Sequence, residues 1–150
     1  LGEPLGRGYD CGLTAAAAIL GMLDRNPDQT LSDMRKALPV AYTSLPMSPH
    51  CGDEVKYGVV DKVVAEYQAL AAAGGKILGR AIVEVITVNG VRVALEDGSW
   101  VLVRASSNKP EIVVVVESTQ SDDDMRALFR EEVKPRLAKH PQVGAYNQEV

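Results

Sequence analysis

The residues best suited to chemistry lie in one short polar segment between two apolar runs, at positions 104–110. Its arginine carries a planar guanidinium that can bond two oxygen atoms at once, and its lysine adds a second positive charge. Two serine hydroxyls and an asparagine amide are neutral donors, and a tight turn can direct successive backbone N–H groups into one concavity. The combination suits a phosphate dianion. The candidate phosphate-binding residues are Arg104, Ser106, Ser107, Asn108 and Lys109.

The same segment also has an ordinary structural interpretation. Polar residues between two apolar runs are typical of an exposed hairpin turn, and an arginine beside such a turn needs no ligand. Residue types alone favour this interpretation over an anion site.

The elements that must hold the segment are two strands, predicted at residues 99–105 and 111–117 from their apolar, β-branched composition. Upstream, residues 82–88 and Val91–Leu95 predict two further strands joined by Asn-Gly, the pair most typical of a tight hairpin turn. The segment would then lie in the last turn of a run of antiparallel strands.

Two helices are predicted to flank these strands. The first begins at Asp53 or Glu54 and ends at Gly74-Gly75, a pair suited to a left-handed C-cap. The second begins after Ser121 as N-cap and is kinked or split by Pro135. An apolar stripe at spacings of three and four marks the first helix, formed by Val59, Val60, Val63, Val64, Tyr67 and Leu70.

The N-terminal part predicts a helix at 13–23, with Asp10 as candidate N-cap, and a short helix opened by a capping box at Thr30 and Asp33. The following segment, 40–51, contains a candidate domain boundary and a short strand near residues 45–47. The chain beyond residue 144 is predicted to be loose.

These elements predict an α+β fold: a two-layer domain with a four-stranded, mainly antiparallel sheet covered on one face by two helices, and a helical segment before it. Residues 1–39 are interpreted as the helical remnant of a preceding domain. Residues 40–150 are interpreted as a C-terminal phosphate-binding domain.

Composition narrows the classes of partner. The chain of 150 residues has a formal charge of −4, which argues against a general nucleic-acid binder. No apolar run is long enough to cross a bilayer, and no secretory leader is visible. The two cysteines lack metal-ligand spacing, and His50 beside Cys51 has no second ligand pair, so we expect free thiols, no metal and a cytoplasmic location.

An ordered series of motifs resembles the C-terminal domain of the α-D-phosphohexomutases. The series is Asn-Gly-Val-Arg-Val at 89–93, Glu-Asp-Gly-Ser-Trp at 96–100 and Leu-Val-Arg-Ala-Ser-Ser-Asn-Lys-Pro-Glu at 102–111. It is most similar to the bacterial phosphomannomutase/phosphoglucomutase group. Gly8-Tyr9-Asp10, followed by an alanine-rich helix, resembles the end of that family's third domain.

The resemblance implies a TBP-like C-terminal domain that binds the phosphate at the non-reacting end of a phosphosugar. The implied contacts are Arg104, Ser106, Ser107 and Asn108, together with Lys109, at whose position the family loop varies. It implies a full-length isomerase that interconverts mannose or glucose 1- and 6-phosphates through a phosphoserine enzyme and a 1,6-bisphosphate. Mg²⁺ and a glucose 1,6-bisphosphate activator would act at sites outside this segment. The implied partners are the phosphosugar and the enzyme's other domains, with neither nucleic acid nor membrane.

The sequence departs from the family pattern in ways that leave alternatives open. Val115 stands in an apolar run where some members have a further phosphate-binding arginine, so either Lys109 compensates or phosphate is held more weakly. The phosphoserine loop, the metal loop and the sugar-reading segment are absent, so these residues alone would not catalyse. A stand-alone phosphosugar-binding module without catalysis, a structural domain with a drifted loop, and part of a phosphoglucosamine mutase remain alternatives.

Overall fold

The computed structural model describes residues 11–150, and the chain divides into two compact units between Pro39 and Val40. The first unit contains α1 (Gly12–Asp24) and α2 (Leu31–Lys36). The predicted capping box is confirmed, because the Asp33 N–H donates to Thr30 Oγ1 at 3.2 Å and the Thr30 N–H donates to Asp33 Oδ2 at 3.2 Å. The candidate N-cap Asp10 and the Gly8-Tyr9-Asp10 motif lie outside the described residues.

The second unit, Val40–Val150, is an α+β domain. Its sheet has six strands in the order β1-β6-β5-β4-β3-β2, and every neighbouring pair is antiparallel. The elements, in chain order, are β1 (Tyr42–Thr43), α3 (Lys56–Ala72), β2 (Lys76–Ile77), β3 (Arg80–Ile86), β4 (Val91–Leu95), β5 (Trp100–Ala105), β6 (Ile112–Ser118), α4 (Asp122–Ala127), a π-helical turn (Leu128–Val133) and α5 (Lys134–Leu137).

The prediction of four strands was therefore wrong, although the α+β class and the antiparallel sheet are confirmed. The two additional strands, β1 and β2, have two residues each and lie at the edges of the sheet. Two residues are too few to produce the alternation that identifies a strand. The strand expected near residues 45–47 is reduced to a single bridge between Met47 and Val114, while the regular pairing with β6 lies slightly upstream, at β1.

The helices of the second unit form one layer on one face of the sheet, as predicted. Helix α3 contacts β3, β4 and β5, while α4 and the π-helical turn contact β6. Successive residues of a strand point to opposite faces of the sheet, so every second residue points toward the helices. Directly paired residues share a face, as Val93 does with Val101 and Val103 with Val114. The fully buried strand residues are Ile77, Val93, Val101, Val103, Ile112, Val114, Val116 and Ser118.

The last helical region is divided, as Pro135 predicted. The π-helical turn Leu128–Val133 comes just before α5, and proline occupies one of the first positions of α5. Proline cannot donate a backbone hydrogen bond, and a wider turn is one of the usual ways a helix accommodates such an interruption.

The prediction of a loose segment beyond residue 144 was wrong. Tyr146 pairs with Pro49 in a β-bridge, and its ring meets Phe129 edge-on at 5.3 Å between centroids. The Ser48 N–H donates to Asn147 Oδ1 at 2.6 Å. The segment has no apolar periodicity, so a single aromatic anchor and backbone bridges give no signal in the sequence.

A polar network fixes the sheet at the opposite ends of β5 and β6 from the turn that joins them. Arg80 Nη1 donates to Asp97 at 2.9 Å and to Asp124 at 2.8 Å, while Ser99 and Ser118 donate to the same two carboxylates. Burial alone would raise the pKa of Asp97, but the bonds from Arg80 and Ser99 outweigh it and hold that pKa below its ordinary value. Among residues 11–150, no helix combines the length and apolar character needed to span a bilayer.

Candidate anion-binding site

The predicted polar segment forms the turn between β5 and β6. Arg104 pairs with Val113, Ala105 pairs with Ile112, and the Ser106 N–H then donates to the Glu111 carbonyl at 3.0 Å. This regular ladder brings the chain to the turn from two central strands, which are more rigid supports than a free loop.

Arg104 lies on the face of the sheet that the helices leave uncovered, and it is half-buried. Its Nη1 donates to the carbonyl oxygen of Ala105 at 3.3 Å, so the guanidinium lies beside the start of the turn rather than extending away from it. No other acceptor for this guanidinium occurs within residues 11–150. The remaining N–H groups are therefore available to an anion at the turn.

Ser106 and Asn108 are brought into direct contact, with Ser106 Oγ donating to Asn108 Oδ1 at 3.1 Å. Ser106 is 4% exposed, whereas Ser107, Asn108 and Lys109 are exposed. The backbone N–H groups of the three exposed residues have no protein acceptor in the described part of the chain. The turn thus carries three backbone donors without a protein acceptor, and the Arg104 guanidinium bonds the carbonyl at its start, a combination suited to oxyanions.

Lys109 is placed differently from the other candidates. It lines a cavity of about 280 Å³ whose lining also includes Ser48, His50 and Tyr146. Arg104 and the other predicted contacts do not line this cavity. The structure therefore brings Ser106 and Asn108 into contact and places the Arg104 guanidinium at the start of the same turn, while Lys109 lines a cavity that the other four candidates do not line.

Lys56 is a residue of the site that the sequence prediction missed. It is 3% exposed, and its Nζ donates to the Lys109 carbonyl at 2.8 Å and to Asp53 Oδ1 at 2.5 Å. A signal did exist, because Lys56 stands four residues before Val60, on the apolar stripe of α3. A lysine at a buried position needs partners, and here they are the Lys109 carbonyl of the turn and the Asp53 carboxylate.

The segment before α3 holds the turn from the same side. The Cys51 N–H donates to the Pro110 carbonyl at 2.9 Å, and the Ile112 N–H donates to the Pro49 carbonyl at 3.0 Å. Cys51 is a free, buried thiol, and burial raises its pKa. The described residues contain no group of three or more histidine, cysteine, aspartate or glutamate side chains that could hold a metal ion.

Gly90, in the predicted hairpin turn, lies directly against Arg104. Its φ is +78°, and a Cβ built there would lie 2.3 Å from the Val103 carbonyl oxygen and 2.7 Å from Arg104 Cα. Glycine is therefore needed here for two reasons: it adopts the left-handed backbone without strain, and its lack of a Cβ permits the close contact with β5.

On β5 and β6 the sheet surface beside Arg104 is apolar, while Arg92 of the neighbouring β4 pairs with Leu102 on the same face. Leu102 pairs with Val115, and both lie on the same face as Arg104 and Val113. The absence of a cation at Val115 therefore leaves Arg104 as the positive charge that β5 and β6 contribute beside the turn.

Comparison with known proteins identifies the domain. Residues 54–134, more than half of the chain, match the family model described as phosphoglucomutase/phosphomannomutase, C-terminal domain. The chain belongs to this family. The phosphohexomutase resemblance is thereby confirmed, and the turn between β5 and β6 lies inside the region that matches the phosphoglucomutase/phosphomannomutase C-terminal domain.

Three relatives extend the match. The chain is 35% identical over 100 residues to a phosphopentomutase of Thermococcus kodakarensis, covering 67% of this chain and 20% of that protein. It is 32% identical over 87 residues to a probable phosphoglucosamine mutase of Methanothermobacter thermautotrophicus, covering 58% and 17%. A crystal structure of a phosphoglucomutase/phosphomannomutase family protein from Burkholderia thailandensis superposes with a TM-score of 0.60 at 27% identity, covering 91% of this chain and 26% of that one. The chain thus spans about a fifth of the length of its curated mutase relatives.

Proposed function

We propose that this chain is the substrate-phosphate-binding domain of a phosphohexomutase that interconverts hexose 1-phosphate and hexose 6-phosphate, with mannose or glucose as the sugar. The observation that carries the proposal is the turn between β5 and β6, which lies inside the family-matched region. It carries three backbone N–H groups that have no acceptor among residues 11–150, and the Arg104 guanidinium bonds the carbonyl at its start. The phosphate contacts proposed are Arg104, Ser106, Ser107, Asn108 and Lys109.

The chemical role of such a site is positioning. Binding energy from the phosphate that does not react orients the hydroxyl that does, and so lowers the entropic part of the barrier. The transfer itself, through a phosphoserine and a 1,6-bisphosphate, is proposed to occur in other domains of the full-length enzyme. Mg²⁺ and the glucose 1,6-bisphosphate activator are proposed to bind there too.

Residues 1–39 are proposed to belong to the preceding domain of the same enzyme. The division of the chain between Pro39 and Val40 supports this, as does the crystal-structure match, which covers 91% of the chain.

A second candidate function is mutase activity on a pentose phosphate. It is favoured by the 35% identity to a phosphopentomutase, a higher figure than that for the glucosamine relative. A phosphate-binding turn alone distinguishes neither sugar, because it contacts the group that all these substrates share.

The substrate is tested with the complete gene product. The 1-phosphates of glucose, mannose, glucosamine and ribose are assayed with Mg²⁺ and with the matching bisphosphate as activator. We expect glucose or mannose 1-phosphate to give the highest kcat/KM. Ribose 1-phosphate as the best substrate would establish the second candidate, and binding without turnover of any sugar would establish a non-catalytic module.

The charge state of the ligand should govern binding to this chain. A phosphate monoester loses its second charge as pH falls through about 6, so the Kd for glucose 6-phosphate should rise about tenfold between about pH 7.5 and pH 5. Isothermal calorimetry measures the change. Glucose 6-sulfate, which keeps one charge over this range, is the control. An equal change with the sulfate would assign the effect to titration of the protein and would contradict a dianion site.

A further inference from the structure

We infer that Lys56 is a positioning residue of the phosphate site, a buried cation behind the β5–β6 turn that sets the turn's backbone orientation and contributes to its positive field. The inference rests on the proposed function. Neither the family match nor the likeness to other mutases assigns Lys56 a role.

The contacts of Lys56 point to the turn. Its side chain is among the few buried polar groups of the domain, at 3% exposure, and its Nζ donates to the Lys109 carbonyl at 2.8 Å. That carbonyl also accepts the Glu111 N–H at 2.8 Å, so two donors hold the Lys109–Pro110 peptide in one orientation. The residue after it is proline, so this peptide could not offer an N–H to an anion in any orientation.

The consequence for an anion is electrostatic. A carbonyl oxygen turned toward the outside of the turn would place a negative dipole end near a bound phosphate. Lys56 holds the Lys109 carbonyl toward the protein interior, while the N–H groups of Ser107, Asn108 and Lys109 have no acceptor in the described residues. A buried cation behind these donors acts through a medium that screens charge less than water does.

The carboxylate of Asp53 partly cancels the positive field of Lys56 at the turn. It accepts from Lys56 Nζ at 2.5 Å, yet its side chain is 69% exposed. The buried lysine therefore has a partner that water already solvates, and removing the carboxylate charge should leave the bond to the turn in place. Removing the charge of Lys56 should therefore weaken phosphate binding, whereas removing the charge of Asp53 should strengthen it. A purely structural role for Lys56 would not predict these opposite effects.

The test measures the Kd of this chain for glucose 6-phosphate by calorimetry. Lys56→Met, which matches the length of the side chain without its charge or donors, should raise Kd about tenfold, because the turn loses both the positive charge behind it and the donor that orients the Lys109 carbonyl. Asp53→Asn should lower Kd about twofold, because it removes a negative charge that partly cancels the positive field of Lys56 at the turn. The effect is small because water screens the exposed carboxylate. Lys62→Met is the matched control, since Lys62 is exposed on the same helix and loses the same charge, and it should leave Kd unchanged.

Turn geometry is measured separately in the ligand-free chain. Amide hydrogen exchange at Glu111, whose N–H donates to the Lys109 carbonyl, should become faster in Lys56→Met and stay unchanged in Lys62→Met. If Lys56→Met does not fold, Lys56→Gln supplies a shorter neutral donor, and its Kd should still rise relative to the native chain.

The outcomes separate the two ideas. Equal Kd values for Lys56→Met and Lys62→Met, with binding lost in Arg104→Ala, would overturn the role of Lys56 and leave the proposed function standing. No loss of binding in Arg104→Ala would overturn the proposed function, and unchanged exchange at the turn in Lys56→Met would then overturn the positioning role as well.

Discussion

Replacing Arg104 with alanine is expected to raise the Kd of this chain for glucose 6-phosphate roughly tenfold to a hundredfold, the effect of losing one or two charge-assisted hydrogen bonds. The guanidinium lies beside the turn, with Nη1 on the Ala105 carbonyl and its other donors free of acceptors in the described residues. Because the neighbouring sheet surface at Leu102 and Val115 is apolar, no cation on β5 or β6 stands ready to replace it. Calorimetry on the isolated chain measures the change directly.

The complete enzyme should report the same loss as kinetics. If the phosphate contact is retained from ground state to transition state, Arg104→Ala raises KM and lowers kcat/KM by a similar factor, while kcat changes less. Arg104→Lys should recover only part of the affinity, because an ammonium keeps the charge without the planar fork. Arg126→Ala is the matched control, since the Arg126 side chain on α4 is 39% exposed and bonds Asp122. Unchanged kinetics for Arg104→Ala would remove the turn from substrate binding.

The central strands and the turn could be predicted because their signals are local. β4 lies at its predicted residues, and β5 and β6 each begin one residue later than expected. The Asn-Gly pair marked the turn before β4, but the tight hairpin and the strand at 82–88 were wrong in detail. β3 ends at Ile86, and its last pair with β4 is Ile86 with Arg92, so the connection is wider than the two-residue turn that Asn-Gly predicts. Long-range contacts gave no such signal. The edge strands β1 and β2 exist only because β6 and β3 supply partners for two residues each.

In the site, too, local features could be predicted and long-range ones could not. The polar segment and its arginine could be identified from residue types, but the direction of each side chain could not. Ser106 is buried and bonds Asn108, while Lys109 lines a cavity together with residues of the segment before α3 and with Tyr146. Lys56 lies more than fifty positions from the turn in sequence, and only the packing of α3 on the sheet brings the two together.

A second large effect is expected at Gly90, where alanine should lower the free energy of unfolding by about 2–5 kcal/mol. The left-handed backbone accounts for about 1–2 kcal/mol of this, since φ is +78° and a Cβ is disfavoured there. The remainder comes from overpacking of about 1–3 kcal/mol, because the new Cβ would lie 2.3 Å from the Val103 carbonyl oxygen. Urea denaturation followed by circular dichroism measures the difference.

Gly98→Ala separates the two contributions to this loss. Gly98 has a similar φ of +88°, but the nearest atom to its Cβ would be Thr119 Cγ2 at 3.5 Å, an ordinary contact. It should therefore cost only the backbone preference, about 1–2 kcal/mol. Because the Gly90 contact falls on the backbone of Arg104, at 2.7 Å from Cα, Gly90→Ala should also weaken glucose 6-phosphate binding under conditions where the chain stays folded. Equal losses of stability in the two variants would mean that the hairpin yields without moving β5, and the positioning of Arg104 would then not depend on this turn.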